Sequence, residues 1–241
     1  MNPRGENFPL THYSLVSAAQ SCDPAVRAPA IERIAAAYWR PIYKYIRLRW
    51  NVDPEDAADF TQDFFTRLLE KEFLDSYDAA KGRLRTFLRT CADRLIMNRF
   101  RNANRLKRGA GSLVLSLDLE HAERELSMAS KAGSPEDLFE REWIRSLLAL
   151  GVERLRAHCE EHGKSLHFRL FERYDLNEED SKPSYSDLAR EHHVAQTDVT
   201  NYLSFARREF RRCVLEELRL MTSSEEEFRR EARVLLGRET R

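Results

Sequence analysis

Apolar residues along this chain recur at three- and four-residue intervals, and nearly every patterned stretch reads as a helix. Ile31, Ile34, Ala35 and Tyr38 open one stripe, and Ile42, Tyr45 and Ile46 resume it after Pro41. Residues 11–50 are therefore read as helical, with Pro41 in a first turn. Asp53-Pro54-Glu55-Asp56 marks the next start: a capping carboxylate, a proline at the first helical position, and acids at the positive end of the helix dipole. Ala57, Phe60, Phe64 and Leu68, widened by Phe65 and Leu69, then predict a helix ending near Glu72. Leu74 to Gly82 reads as a loop. Leu84, Leu88, Cys91 and Leu95 mark the core face of a helix from about Arg83 to Lys107.

Residues 109–137 break the pattern with Gly109, Gly111, Gly133, Pro135 and several serines, and read as a linker holding one short helix near Leu119 to Leu126. Ser134-Pro135-Glu136-Asp137 opens the next helix, whose expected buried side is Leu138, Phe139, Trp143, Leu147, Leu148, Val152 and Leu155. A further helix covers about Ser165 to Tyr174. Ser184 to Leu203 fits a helix-turn-helix, with Leu188, Ala189, Val194, Val199 and Tyr202 inside. His193 falls where the turn asks for left-handed backbone, which histidine tolerates better than most residues. In the tail, Ser223 or Ser224 with Glu226 or Glu227 forms a capping-box pattern, and Phe228, Val234, Leu235 and Leu236 are expected to pack on the second helical domain, with binding of a regulator as the alternative. The fold read from this pattern is all-α: a domain at 11–108, a linker at 109–137, a second domain at 138–220 and a helical tail at 221–241.

Composition supports this picture: 42% hydrophobic residues, 33% charged, and only 8 Gly and 8 Pro in 241 positions. No apolar run reaches membrane-spanning length and residues 1–10 lack a signal-peptide pattern, so the expected location is cytoplasmic. Cys22, Cys91, Cys159 and Cys213 form no CxxC, and His158-Cys159-His162 lacks further ligands, so neither a metal nor another cofactor is expected. No phosphate-loop, dinucleotide, zinc-protease or serine-hydrolase motif occurs, and the chain is not expected to be an enzyme.

Charge changes the picture more. The formal net charge is zero, yet residues 51–80 hold nine acids against two bases, and residues 81–108 hold ten bases against Asp93 alone. At 100° per residue, Arg94, Asn98, Arg101, Arg105 and Arg108 lie within about 40° of one line beside the apolar stripe. That face suits nucleic acid, with Tyr77, Phe87 and Phe100 as candidates for stacking on unstacked bases, although Phe87 also suits the core. The second helix of the helix-turn-helix offers Gln196, Thr197, Thr200, Asn201 and Ser204 to base edges and Arg207, Arg208, Arg211 and Arg212 to phosphates. Asp198 and Glu209 weaken its field, so modest affinity is expected from this domain alone. An ordinary helical hairpin is the competing reading there. A solvated acidic face competes likewise at Asp59, Gln62, Asp63 and Arg67.

The segments DPEDAADFTQDFFTRLLEKE at 53–72 and KGRLRTFLRTCADRLIMNRFRNANRLKR at 81–108 resemble the second domain of sigma-70-family factors of the extracytoplasmic-function type. Residues 143–218 resemble their fourth domain, and the openings at 11–16 and 38–43 resemble those of a long subfamily. The resemblance implies a transcription initiation factor that binds core RNA polymerase and reads promoter DNA. It assigns Asp59, Gln62, Asp63 and Arg67 to docking on the clamp helices of the β′ subunit. Arg94, Asn98, Arg101, Asn102 and Arg105 are assigned to the minus-ten element, with 74–82 near the pocket for a flipped base. The helix from Gln196 is assigned to the minus-thirty-five element, the fourth domain to the β flap, and the linker to the RNA-exit region. An anti-sigma factor or another regulator is the further partner implied. Asn98 stands where many members have aspartate, and His193 replaces the usual small turn residue. Two alternatives stay open: an adaptor that occupies polymerase without reading DNA, and a stand-alone regulator using the helix-turn-helix.

Overall fold

The computed structural model describes residues 15–70, 73–102, 118–128, 133–177 and 182–237. In chain order the helices are α1 (Leu15–Ala19), α2 (Pro24–Trp50), α3 (Pro54–Leu69), α4 (Leu84–Asn102), α5 (Leu119–Met128), α6 (Pro135–Glu161), α7 (Ser165–Phe171), α8 (Tyr185–Glu191), α9 (Gln196–Leu220) and α10 (Glu225–Leu235). A 3-10 turn at Leu74–Ser76 and a π turn at Glu172–Leu176 complete the described residues, which hold no strand. The expected all-α class is observed.

These helices fall into two compact units, one within 1–146 together with 219–241, the other within 147–218. In the first unit, α2 starts at the Asp23 cap, whose carboxylate accepts from the Ala25 amide at 2.9 Å. It then runs through Pro41, where the sequence suggested a fresh start. Tyr38 and Ile42, on either side of that proline, are both buried, so one continuous core face outweighs the hydrogen bond that proline removes. α3 begins as expected, with Asp53 accepting from the Asp56 amide at 2.8 Å. Ile31, Ile34 and Ile46 of α2, Phe64, Phe65 and Leu68 of α3, and Leu88 and Ile96 of α4 are all buried, and the three helices pack on one another. Each such side chain contributes about 1.5–3 kcal/mol by leaving water.

Two segments join this unit against expectation. The start of α6 does so, because Phe139 lies edge-on to Tyr45 at 5.9 Å and Glu142 accepts from buried Lys44 at 2.7 Å. The chain thus enters the second unit within α6 and not at the end of the linker. The tail is the second case. Expected on the second helical domain, α10 packs on the first unit instead, where buried Glu231 pairs with Arg83 at 3.1 Å and Arg85 at 2.7 Å. A carboxylate among guanidinium groups anchors the tail there, while Val234, read as a packing residue, is 66% exposed.

The second unit is built on Leu155, Cys159, Phe168, Phe171, Leu188, Val199, Leu203, Ala206 and Cys213. Leu148, expected on the buried side of α6, is exposed. Gly151 of α6 faces α9: a Cβ there would collide with the Val214 side chain and lie 3.4 Å from the Phe210 ring. All four cysteines are free thiols. Burial pushes the Cys91 thiol up to about 11, and those of Cys159 and Cys213 upward as well, so none of these three is a ready nucleophile.

Candidate nucleic-acid interface

α4 divides its basic residues between two tasks. Arg85 is buried, paired with Glu140 at 2.7 Å as well as Glu231, and lies 4.4 Å from the Trp143 ring centre. Arg89 lies 5.9 Å from the ring centres of both Tyr45 and Phe139. These two, with Arg83, make their contacts within the first unit. Arg94, Asn98 and Arg101 remain on the exposed side, and neither arginine forms an ion pair among the described residues. Seven residues of helix separate the two arginines by about 10 Å along the axis. The Asn102 side chain, Arg105 and Arg108 lie outside the described residues. Asp93 leaves the outer face basic. Its carboxylate accepts from the Tyr45 hydroxyl at 3.0 Å and the Trp50 indole at 3.0 Å, fixing α4 against α2.

Of the three aromatic candidates, Phe100 alone is exposed, at 50%, with its ring 5.8 Å from Trp50 and 6.2 Å from Phe60. Tyr77 is buried against Phe87, and its hydroxyl donates to the Gly82 carbonyl at 3.1 Å and meets the Ser223 hydroxyl at 3.1 Å. Tyr77 and half-buried Phe87 are therefore packing residues in this conformation, whereas the aromatic patch of Trp50, Phe60 and Phe100 was missed. Its members are far apart in sequence and share no local signal.

On α3, Asp59 is exposed, and Gln62, Asp63 and Arg67 are half-buried. Asp63 accepts from Arg67 at 3.1 Å and from Arg99 of α4 at 2.7 Å, so it also ties two helices together. Arg99 was not singled out in the sequence because it lies well off the line of Arg94 and Arg101. That offset is what turns it toward α3.

In the second unit, Ser184 and Asp187 cap α8 reciprocally: the Asp187 amide donates to the Ser184 hydroxyl at 3.1 Å, and the Ser184 amide to the Asp187 carboxylate at 3.2 Å. The turn that follows places His193 at φ 54, the left-handed conformation expected of it. Leu188, Val199 and Leu203 are buried beneath it, and Ala189, Val194 and Tyr202 are half-buried. Gln196, Thr197, Thr200, Asn201, Ser204, Arg207 and Arg208 are all exposed on α9. The cations are engaged, however. Arg207 makes two hydrogen bonds to Asp175, at 2.9 and 3.0 Å, which raise its pKa further. Arg208 lies 3.5 Å and Arg212 2.7 Å from Glu209, whose carboxyl is held below its ordinary range chiefly by Arg212. Arg211 is exposed and forms no ion pair among the described residues. Asp198 is used locally, accepting from the Ala195 amide at the start of α9.

Among the described residues no group of histidine, cysteine or acid side chains is placed to hold a metal ion, and no helix is long and apolar enough to cross a membrane.

Residues 34–106 match the family model of Sigma-70 region 2. That stretch takes in most of α2 and all of α3 and α4, the segment carrying Asp59 to Arg67 and Arg94 to Arg101. It is thus similar to the portion of sigma-70 factors that binds core RNA polymerase and promoter DNA. No curated protein and no solved structure matches the chain.

Proposed function

We propose that this protein is a promoter-specificity subunit of bacterial RNA polymerase, of the extracytoplasmic-function type. The observation that carries the reading is that residues 34–106 match Sigma-70 region 2 while α4 holds Arg94, Asn98 and Arg101 on one exposed face, the two arginines without an ion pair among the described residues. In this reading α3 docks on the polymerase through Asp59, Gln62, Asp63 and Arg67. α4 then reads the minus-ten element through Arg94, Asn98, Arg101, Asn102 and Arg105. Phosphate contacts by the arginines position the duplex, and the exposed Phe100 ring offers a surface for an unstacked base. α9 enters the major groove at the minus-thirty-five element with Gln196, Thr197, Thr200, Asn201 and Ser204 toward the bases. Binding there requires Arg207 to exchange Asp175 for phosphate, which makes this contact the weaker of the two. The protein is then cytoplasmic and non-enzymatic, with core polymerase, promoter DNA and a regulator as its partners.

The test is to mix purified protein with core RNA polymerase, follow complex formation by size-exclusion chromatography, and sequence the transcripts made from genomic DNA. A stable complex that initiates at a defined promoter set is expected. A complex that does not initiate would favour an adaptor, to which the ion-paired arginines of α9 lend some support. Absence of a complex would overturn the reading.

A further inference from the structure

The exposed face of α9 is bordered on each side by an aromatic ring that carries two cations. On one side, Phe205 has the Lys164 Nζ 3.8 Å from its ring centre and the Arg208 guanidinium carbon at 5.4 Å. On the other, Tyr174 has Lys182 and Arg207 both at 5.5 Å. At about 100° per residue, Phe205 and Arg207 stand roughly 160° apart across the outer face of α9, and Thr197, Thr200, Asn201 and Ser204 fall between them.

Neither lysine belongs to α9. Lys164 ends the turn between α6 and α7, where its amide donates to the Cys159 carbonyl at 2.7 Å and its carbonyl accepts from the His167 amide at 2.9 Å. Lys182 lies just before α8. Their rings are braced in turn: Phe205 by His167, edge-on at 5.2 Å, and Tyr174 by Tyr185, edge-on at 5.0 Å. Arg207 and Arg208 are paired with Asp175 and Glu209, whereas neither lysine forms an ion pair among the described residues. An ammonium lying on a ring keeps its charge and donors and has already lost part of its rotamer freedom. Two cations on one ring also repel each other, and a phosphodiester beside them relieves that repulsion.

The major groove of a duplex is about 12 Å wide, close to the diameter of a helix with its side chains, and the two phosphate backbones bound it. A helix seated there with its central polar residues on the bases brings one pair of cations to each backbone. We propose that Lys164 and Lys182 are phosphate-binding residues that flank α9 and fix its register in the groove, one on each strand. This rests on the function proposed above. The lysines make the contacts that need no exchange of partner, and Arg207 and Arg208 join as the backbone displaces Asp175 and Glu209.

Holoenzyme assembled from core polymerase and the full-length chain tests this at a promoter with a minus-thirty-five element, with binding measured across a salt series. Lys164→Ala and Lys182→Ala should each weaken binding about three- to tenfold and lower the salt slope by about 0.9, with about twice that change of slope in the double variant. Lys164→Arg and Lys182→Arg keep the charge and should bind within about twofold of the parent. Photoreactive side chains at positions 164 and 182 should crosslink to opposite strands. Alanine variants with the parent's affinity and slope, equal losses in the arginine and alanine variants, or crosslinks from both positions to one strand overturn the proposal alone. Absence of promoter binding by the parent holoenzyme overturns the assigned function and this proposal with it.

Discussion

The outer faces of α4 and α9 carry similar numbers of arginines and leave them in different electrostatic states. On α4 buried Arg85 and exposed Arg99, with Arg83 just before the helix, take up nearby carboxylates, and Arg94 and Arg101 are left without an ion pair among the described residues. On α9 the pairing falls on the outward residues themselves: Arg207 with Asp175, and Arg208 and Arg212 with Glu209. A count of arginines would rank the two faces alike. The pairing ranks α4 as ready for a polyanion and α9 as needing to exchange partners first. Exposed pairs are worth little in water, so this difference tunes affinity and does not forbid binding.

Removing the free cations should have the largest effect. Arg94→Ala with Arg101→Ala is expected to lower open-complex formation at a strong promoter by roughly ten- to a hundredfold, the loss of about 1–3 kcal/mol of base or phosphate contact. The same double substitution should flatten the salt dependence of binding by about two phosphate equivalents. Promoter binding assays across a salt series check both. An unchanged slope would place the contact elsewhere.

Packing beneath α9 comes next. Gly151→Ala forces a methyl group against Val214, so the second unit should lose about 1–3 kcal/mol by overpacking, less the few tenths to 1 kcal/mol that alanine gains within a helix. Urea unfolding should show a lower midpoint for the second unit, and minus-thirty-five dependence should weaken at high temperature before minus-ten recognition does. Smaller again is the release of Arg207. Asp175→Ala frees its guanidinium and should tighten binding to minus-thirty-five DNA by about two- to fivefold, with a steeper salt dependence. Weaker binding would show that Asp175 positions Arg207 for DNA and does not compete with it.

The smallest effect is a pH dependence in α5. The pKa of Glu123 is lowered from 4.5, first by its hydrogen bond from Arg47; that of Glu125 is also lowered, because Lys44 and His121 outweigh the opposing effect of burial. Carboxyls lowered in the folded state stabilise it fully above 4.5 and lose that contribution as the pH falls through their lowered values. Exchange of α5 amides, corrected for intrinsic rate, should accelerate as the pH falls below 4.5 and through the lowered values, ahead of the α2 core.

Local chemistry made much of the fold legible. The caps at Asp53 and Ser134, the apolar stripes of α3 and α4, and the left-handed His193 all follow from rules that act over a few residues. Pro41 misled because a proline is read as a helix start, although buried residues on both sides carry α2 through it. The seat of α10 was hidden because Glu231 finds Arg83 and Arg85 across most of the chain, and distant charge pairs leave no periodic signal. The same holds for Asp63 and Arg99. Asp63 was read as a surface contact, and its bond to α4 means that Asp63→Arg would disturb the first unit as well as any docking. Asp59, exposed on the same helix, separates the two effects.

The most direct test of the central claim is photo-crosslinking within a complex of the protein, core polymerase and promoter DNA, with a photoreactive side chain in place of Asn98 in one variant and of Asn201 in another. The account predicts that position 98 crosslinks to the minus-ten element and position 201 to the minus-thirty-five element. Crosslinks from position 98 to polymerase alone, with none to DNA, would contradict it.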